Sequence, residues 1–253
     1  MFKSISLLTS KSELTREKQK DYRNVVVIQI VIIILGLTLS QFLLEGTQTS
    51  AAKLVTTIFS SFGAIYAFLL WDMLRNFTRS ALLVRTYLII LVGIVCTGVL
   101  VEFPYYTILE VPDRQIYLMI IHGLLFPIEV TVIAFAIRDI FSSEFLTPDK
   151  LWGSACIYLM IGISFGSLYD LICIINPGSM GPNLALGLPN YSECVRYSMC
   201  ILGGLDPAQP DTTRLIRNIS VIEAVWSNLF VVLIIGKLMG LPKPPKGNET
   251  AEA

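Results

Sequence analysis

The chain reads as an all-α integral membrane protein of six transmembrane helices. Three observations predict this. Of 253 residues, 54% are hydrophobic and 15% charged, whereas a soluble domain carries roughly 25% charged residues. The charges cluster between long apolar stretches instead of alternating with them. Each apolar run has roughly the twenty residues needed to cross a hydrocarbon layer of about 30 Å.

The first run, 24–44, follows a polar segment that includes Lys11, Arg16, Lys18, Lys20 and Arg23. It is long enough to span, and its exit at Leu44-Glu45-Gly46 lacks a small-residue cleavage site, so it reads as a retained helix and not a signal peptide. Runs 53–74, 82–101 and 117–137 follow. Pro127 inside the fourth predicts a kink, which lipid-embedded helices tolerate because neighbours re-satisfy the freed carbonyl. Thr147-Pro148-Asp149 supplies a polar start for the fifth helix, 151–175, and Asn176-Pro177-Gly178 ends it. The sixth run is 217–240.

Lys and Arg set the orientation. Arg75, Arg79, Arg138, Lys150, Lys237, Lys243 and Lys246 fall on the same side as the N-terminal segment, and the opposite loops carry mainly Glu and Asp. The positive-inside rule then puts both termini in the cytoplasm. The domains predicted are a cytoplasmic segment 1–23, a four-helix domain 24–144, a C-terminal module 145–241 and a tail 242–253.

The stretch from Asn176 to Arg217 is unusual. Pro- and Gly-rich sequence precedes a run from Tyr191 to Leu202 that is too short to span, and Gly203-Gly204-Leu205-Asp206-Pro207 closes it. Two readings fit. One is a re-entrant half-helix with an unwound tail, allowed at membrane depth only where it lines a cavity or is buried in protein. The other is a surface helix on the outer leaflet.

The outer helix Leu151–Tyr169, then Pro177-Gly178-Ser179, a pore helix around Tyr197-Ser198, and an inner helix from Arg217 to Gly240 resemble the pore module of the potassium-channel superfamily. The similarity is to its small bacterial six-span members with a two-helix pore domain, and covers about ninety residues. It implies a filter loop in which Ile201, Leu202, Gly203, Gly204, Leu205 and Asp206 stand where the family has Thr, an aliphatic residue, Gly, Tyr, Gly and Asp. In that filter backbone carbonyls and the Thr hydroxyl replace the water around the ion. Ile201 lacks the hydroxyl, Gly204 lacks the aromatic strut, and Leu205 carries a Cβ where the backbone favours glycine. The resemblance therefore implies a homotetrameric channel for monovalent cations, potassium first among them, with weak or altered selectivity through a degenerate filter.

Glu223 in the last helix braces or tunes that filter on the functional reading, and anchors subunits or helices on the structural one. Ser227 stands where a hinge glycine is expected and bonds back to the carbonyl a turn earlier. Asn228 lines the cavity or bonds between helices. Glu129 reads as a carboxylate bonded to another helix or to a freed backbone group. The fourth helix lacks the regular arginines of a voltage sensor. The single His, His122, and five scattered cysteines form no metal pattern, so no cofactor is expected. Nor is an enzyme, since no nucleophile and base are paired. No basic stripe points to nucleic acid; lipids are the expected surroundings. The competing function is a non-conducting membrane scaffold or accessory subunit that assembles with another membrane protein.

Overall fold

The computed structural model describes residues 22–38, 64–75, 77–78, 80–102, 114–141, 148–181, 186–209 and 211–239. The predicted helical stretches 39–44 and 53–63, the segment 1–21 and the tail 242–253 lie outside the described residues. Among the described residues there are seven helices: α1 (Tyr22–Thr38), α2 (64–75), α3 (Ala81–Glu102), α4 (Arg114–Phe141), α5 (Pro148–Ile175), α6 (Leu188–Leu202) and α7 (Arg214–Met239).

Four of them are long and apolar enough to cross a membrane: Ala81–Gly98, Gln115–Phe141, Lys150–Ile175 and Arg214–Lys237. The prediction of six spans is corrected on this point. α1 is a shorter apolar helix as described, and α2 runs for three turns. Both are instead bound into the bundle by one stripe of side chains. In α1 the stripe is Tyr22, Val25, Val26, Gln29 and Ile32, and in α2 it is Tyr66, Ala67, Leu70, Met73 and Leu74. This is the 3.6-residue period of a helix with one buried face.

α5 is the hub. α4 and α6 pack against it most extensively, with α3 on the outside of α4 and α7 across α5 and α6. The large core joins α1 through α5, with Leu202, Phe230 and Ile234 reaching into it from α6 and α7. A smaller core of Tyr169, Cys173, Met180, Cys194, Tyr197 and Ile216 ties the C-terminal end of α5 to α6 and the start of α7. α4 continues through Pro127, and Thr131 Oγ1 donates to Pro127 O at 2.7 Å.

The contact between α5 and α6 depends on two glycines a turn apart, Gly162 and Gly166. A Cβ at Gly166 would stand 2.7 Å from Val195 Cγ2 and 2.9 Å from Val195 Cα, and one at Gly162 would stand 2.6 Å from Met199 Cε. This small-xxx-small face lets the two backbones approach closely enough for dispersion contacts to hold them where lipid offers no hydrophobic driving force. Ser198 Oγ donates to Gly162 O at 2.7 Å across the same contact.

The opposite end of the bundle is closed by cations on the C-terminus of α4. Lys237 Nζ donates to Ile140 O at 2.6 Å and Lys150 Nζ to Asp139 O at 3.0 Å, satisfying carbonyls that a helix end leaves open. Lys237 also lies 4.9 Å over the ring of Phe141.

Candidate functional site

The filter-like hexapeptide is a helix ending. Ile201 and Leu202 are the last residues of α6, Gly203 is its C-cap, and Gly204 follows with φ at 70°. Leu205 N–H donates to Cys200 O at 2.8 Å and Gly204 N–H to Ile201 O at 3.1 Å. Those two bonds, with a left-handed glycine after the cap, make a Schellman motif. Gly203 N–H donates to Met199 O at 3.0 Å, and Tyr158 Oη donates to Leu202 O at 2.7 Å. The carbonyls of residues 199–202 are thus consumed in ending the helix and joining it to α5.

The filter, the pore helix and the channel fold that the resemblance implies are corrected by this geometry. Ile201 packs against the smaller core, and Gly203, Gly204, Leu205 and Asp206 form an exposed turn. Asp206 Oδ1 accepts Ala208 N–H at 2.9 Å, a local turn bond. The segment 188–202 is a buried helix wedged between α5 and α7, neither re-entrant with an unwound filter nor lying on a leaflet. The pore domain, the potassium-channel-like fold and conduction through residues 201–206 are overturned together. Gly204 stands in this sequence because a helix must stop there, and the Cβ-free residue takes the positive φ at little cost.

What the bundle does assemble is a set of three fully buried carboxylates around α5: Glu129 from α4, Asp170 from α5 and Glu223 from α7. Glu223 accepts Tyr169 Oη at 2.7 Å on one oxygen and is bonded to the Ser198 hydroxyl through the other. Since Ser198 also donates to Gly162 O, the network joins α5, α6 and α7 through one carboxyl. Ser227 Oγ donates to Glu223 O at 2.7 Å, one turn back along α7.

Asp170 receives Asn190 Nδ2 at 2.6 Å and faces His122 Nδ1 at 3.3 Å, which joins α4, α5 and α6. The His122 ring packs on Tyr191 with centroids 5.4 Å apart. Nearer the surface, Arg196 pairs with Glu193 within α6, and Gln209 Nε2 donates to Glu193 at 2.5 Å, fastening the following loop. The Glu193 carboxylate holds the Arg196 guanidinium above its ordinary pKa.

Glu129 is different. Its oxygens are sealed from the surface and make no hydrogen bond, although the side chains of Ser164 and Ser167 on α5 face it. Asn228 is set apart from all three carboxylates, exposed on the outward face of α7. Ser227 and Glu223 lie on the buried stripe of the same helix.

Sequence reasoning singled out Glu223, Ser227 and Asn228 but missed two polar networks, Tyr169 and Ser198 on Glu223, and Asn190 and His122 on Asp170. The Gly162–Gly166 spacing in an apolar helix is the signal that could have found the α5–α6 contact. No equivalent signal exists for the carboxylates and their partners, which are spread over α4, α5, α6 and α7.

No protein-family model, curated protein or solved structure matches the chain. The fold and site define a class: a bundle of closely packed helices, four of them able to cross a membrane, with buried carboxylates as interhelical ties.

Proposed function

We propose that this protein is a non-conducting membrane scaffold or accessory subunit that binds a helix of a partner membrane protein along the outward face of α7. It is a multi-pass protein of the bacterial inner membrane with both termini cytoplasmic. The Lys and Arg bias supports that orientation, as does the meeting of Lys150 and Lys237 at one end of α4.

The observation that carries the reading is Asn228. Only one stripe of α7 faces its own bundle, comprising Ile216, Ser220, Glu223, Ser227, Phe230 and Ile234. The outward surface is apolar, with Val221, Val225, Leu229 and Val232 exposed, and Asn228 sits among them deep in the span. It is more than about 13 Å from either end of that span at 1.5 Å per residue. An amide facing lipid there has no acceptor; against a second helix it makes an interhelical hydrogen bond, worth about 1 kcal/mol.

The test is site-specific photocrosslinking in native membranes, with a benzophenone amino acid at Val225 on α7 and, for comparison, at Ile89 on the lipid-facing side of α3. A discrete protein adduct at Val225 that disappears in Asn228→Leu is expected, with lipid adducts alone at Ile89. Lipid adducts alone at both positions would refute the proposal. An adduct of twice the chain mass would replace the partner protein with a second copy. Purified protein in planar bilayers should be electrically silent.

A further inference from the structure

The polar atoms around Glu129 form a buried group with unmet bonding capacity around an ionisable carboxyl. Both Glu129 oxygens, both polar atoms of the Gln29 amide and the Tyr66 hydroxyl are buried without a hydrogen-bond partner. They come from α4, α1 and α2, and they face one another: the Tyr66 hydroxyl acts on both Glu129 and the Gln29 amide. Ser164 and Ser167 face the carboxylate from α5, and Tyr191 faces it from α6. Cys156 of α5 lies beside Gln29. Five helices therefore converge on a point at which no described lysine or arginine acts on the carboxylate.

Buried polar groups are nearly always satisfied, and a cluster left open marks a missing small occupant. A water would bridge the atoms but leave the carboxylate charge buried and uncompensated, which is the costlier part. A proton would neutralise that charge but could serve only one acceptor. A monovalent cation does both. The facing donor set is dominated by oxygen from carboxylate, amide, phenol and hydroxyl groups, the hard ligands that such cations take. With one carboxylate the set neutralises one positive charge, and no group of His, Cys, Asp or Glu among the described residues could hold a transition metal.

We propose that Glu129, with Gln29, Tyr66 and the serines of α5, is an occluded binding site for a small monovalent cation of the sodium class. The ion ties α1 and α2 to the α4–α5 pair, so occupancy stabilises the bundle without any passage of ions through it. The site is independent of the α7 docking surface.

The probe is sodium chloride against choline chloride at equal ionic strength, added to the detergent-purified full chain, with thermal unfolding followed by tryptophan fluorescence. A saturable rise in the unfolding midpoint with sodium is expected. At a sodium concentration one hundred times the Kd the folded-to-unfolded ratio rises about a hundredfold. Glu129→Gln should lose the sodium dependence, and Glu223→Gln, whose carboxyl already has two protein partners, should keep it.

In case Glu129→Gln folds poorly, a second measurement uses the wild-type protein alone. Carbodiimide labelling of Glu129, read by peptide mass, should be slowed by sodium and not by choline. No sodium effect in either assay would overturn the proposal. So would labelling that depends on pH alone, since the occupant would then be a proton, or an undiminished sodium response in Glu129→Gln.

Discussion

Adding one methyl group at Gly166 should weaken the bundle far more than adding the same group a turn earlier at Gly162. At Gly166 the new Cβ meets Val195 Cγ2 at 2.7 Å and the α6 backbone itself, Val195 Cα, at 2.9 Å. Rotating the valine side chain can relieve the first contact, but Val195 Cα cannot move without shifting α6, which is held in place by Ser198 and Tyr158 bonds to α5. Overpacking of this kind costs about 1–3 kcal/mol. At Gly162 the nearest atoms are Met199 Cε at 2.6 Å and Sδ at 2.9 Å, the far end of a flexible side chain. Met199 can swing away for less than about 1 kcal/mol, the cost of a modest rotamer change.

The usual gain in helix propensity on replacing Gly with Ala largely cancels in a bilayer, where the separated helices are already formed because lipid offers the backbone no other partners. The expected losses are therefore about 2 kcal/mol for Gly166→Ala and under about 1 kcal/mol for Gly162→Ala. Reversible unfolding of bicelle-reconstituted protein by steric trapping, with one biotin tag on α5 and one on α6, measures both. Equal stability of the two variants, or a larger loss at Gly162, would refute the close-packing argument.

Two further outcomes follow from the same geometry. Tyr169→Phe leaves one Glu223 oxygen without its donor at full burial and should cost about 1–3 kcal/mol in the same unfolding assay; a neutral result would mean that Glu223 finds another donor. Gly204→Ala has open space for its methyl but a backbone φ of 70°, so it should cost about 1–2 kcal/mol without changing the contacts of α6, and Gly204→Asn should recover part of the loss. No loss in Gly204→Ala would argue against the Schellman ending.

The filter assignment shows how a short motif can be read at the wrong level. Set beside a filter residue by residue, Ile-Leu-Gly-Gly-Leu-Asp differs at three positions, and each difference reads as a damaged filter. The same letters spell an apolar helix followed by a glycine able to take positive φ and a leucine beyond it, the ordinary grammar of a helix C-terminus. Hydrogen bonds from Gly204 and Leu205 back to Ile201 and Cys200 distinguish the two readings. Whether those carbonyls turn toward an ion or toward the chain's own N–H groups is a property of the backbone path.

Apolarity and the length of the apolar runs were enough to predict helices long and apolar enough to cross a membrane, because in lipid every backbone group must be satisfied within its own segment. The buried stripe of α7, with Glu223 and Ser227 inward and Asn228 outward, follows from which side of the helix meets α5 and α6. Hydropathy cannot supply that side, since lipid and protein interior are equally apolar. Tyr169, Ser198 and Glu223 lie on three different helices, as do Gln29, Tyr66 and Glu129. Only the packing of those helices brings their polar atoms to common points, because hydrogen bonding and charge compensation act over a few ångströms of space irrespective of separation along the chain.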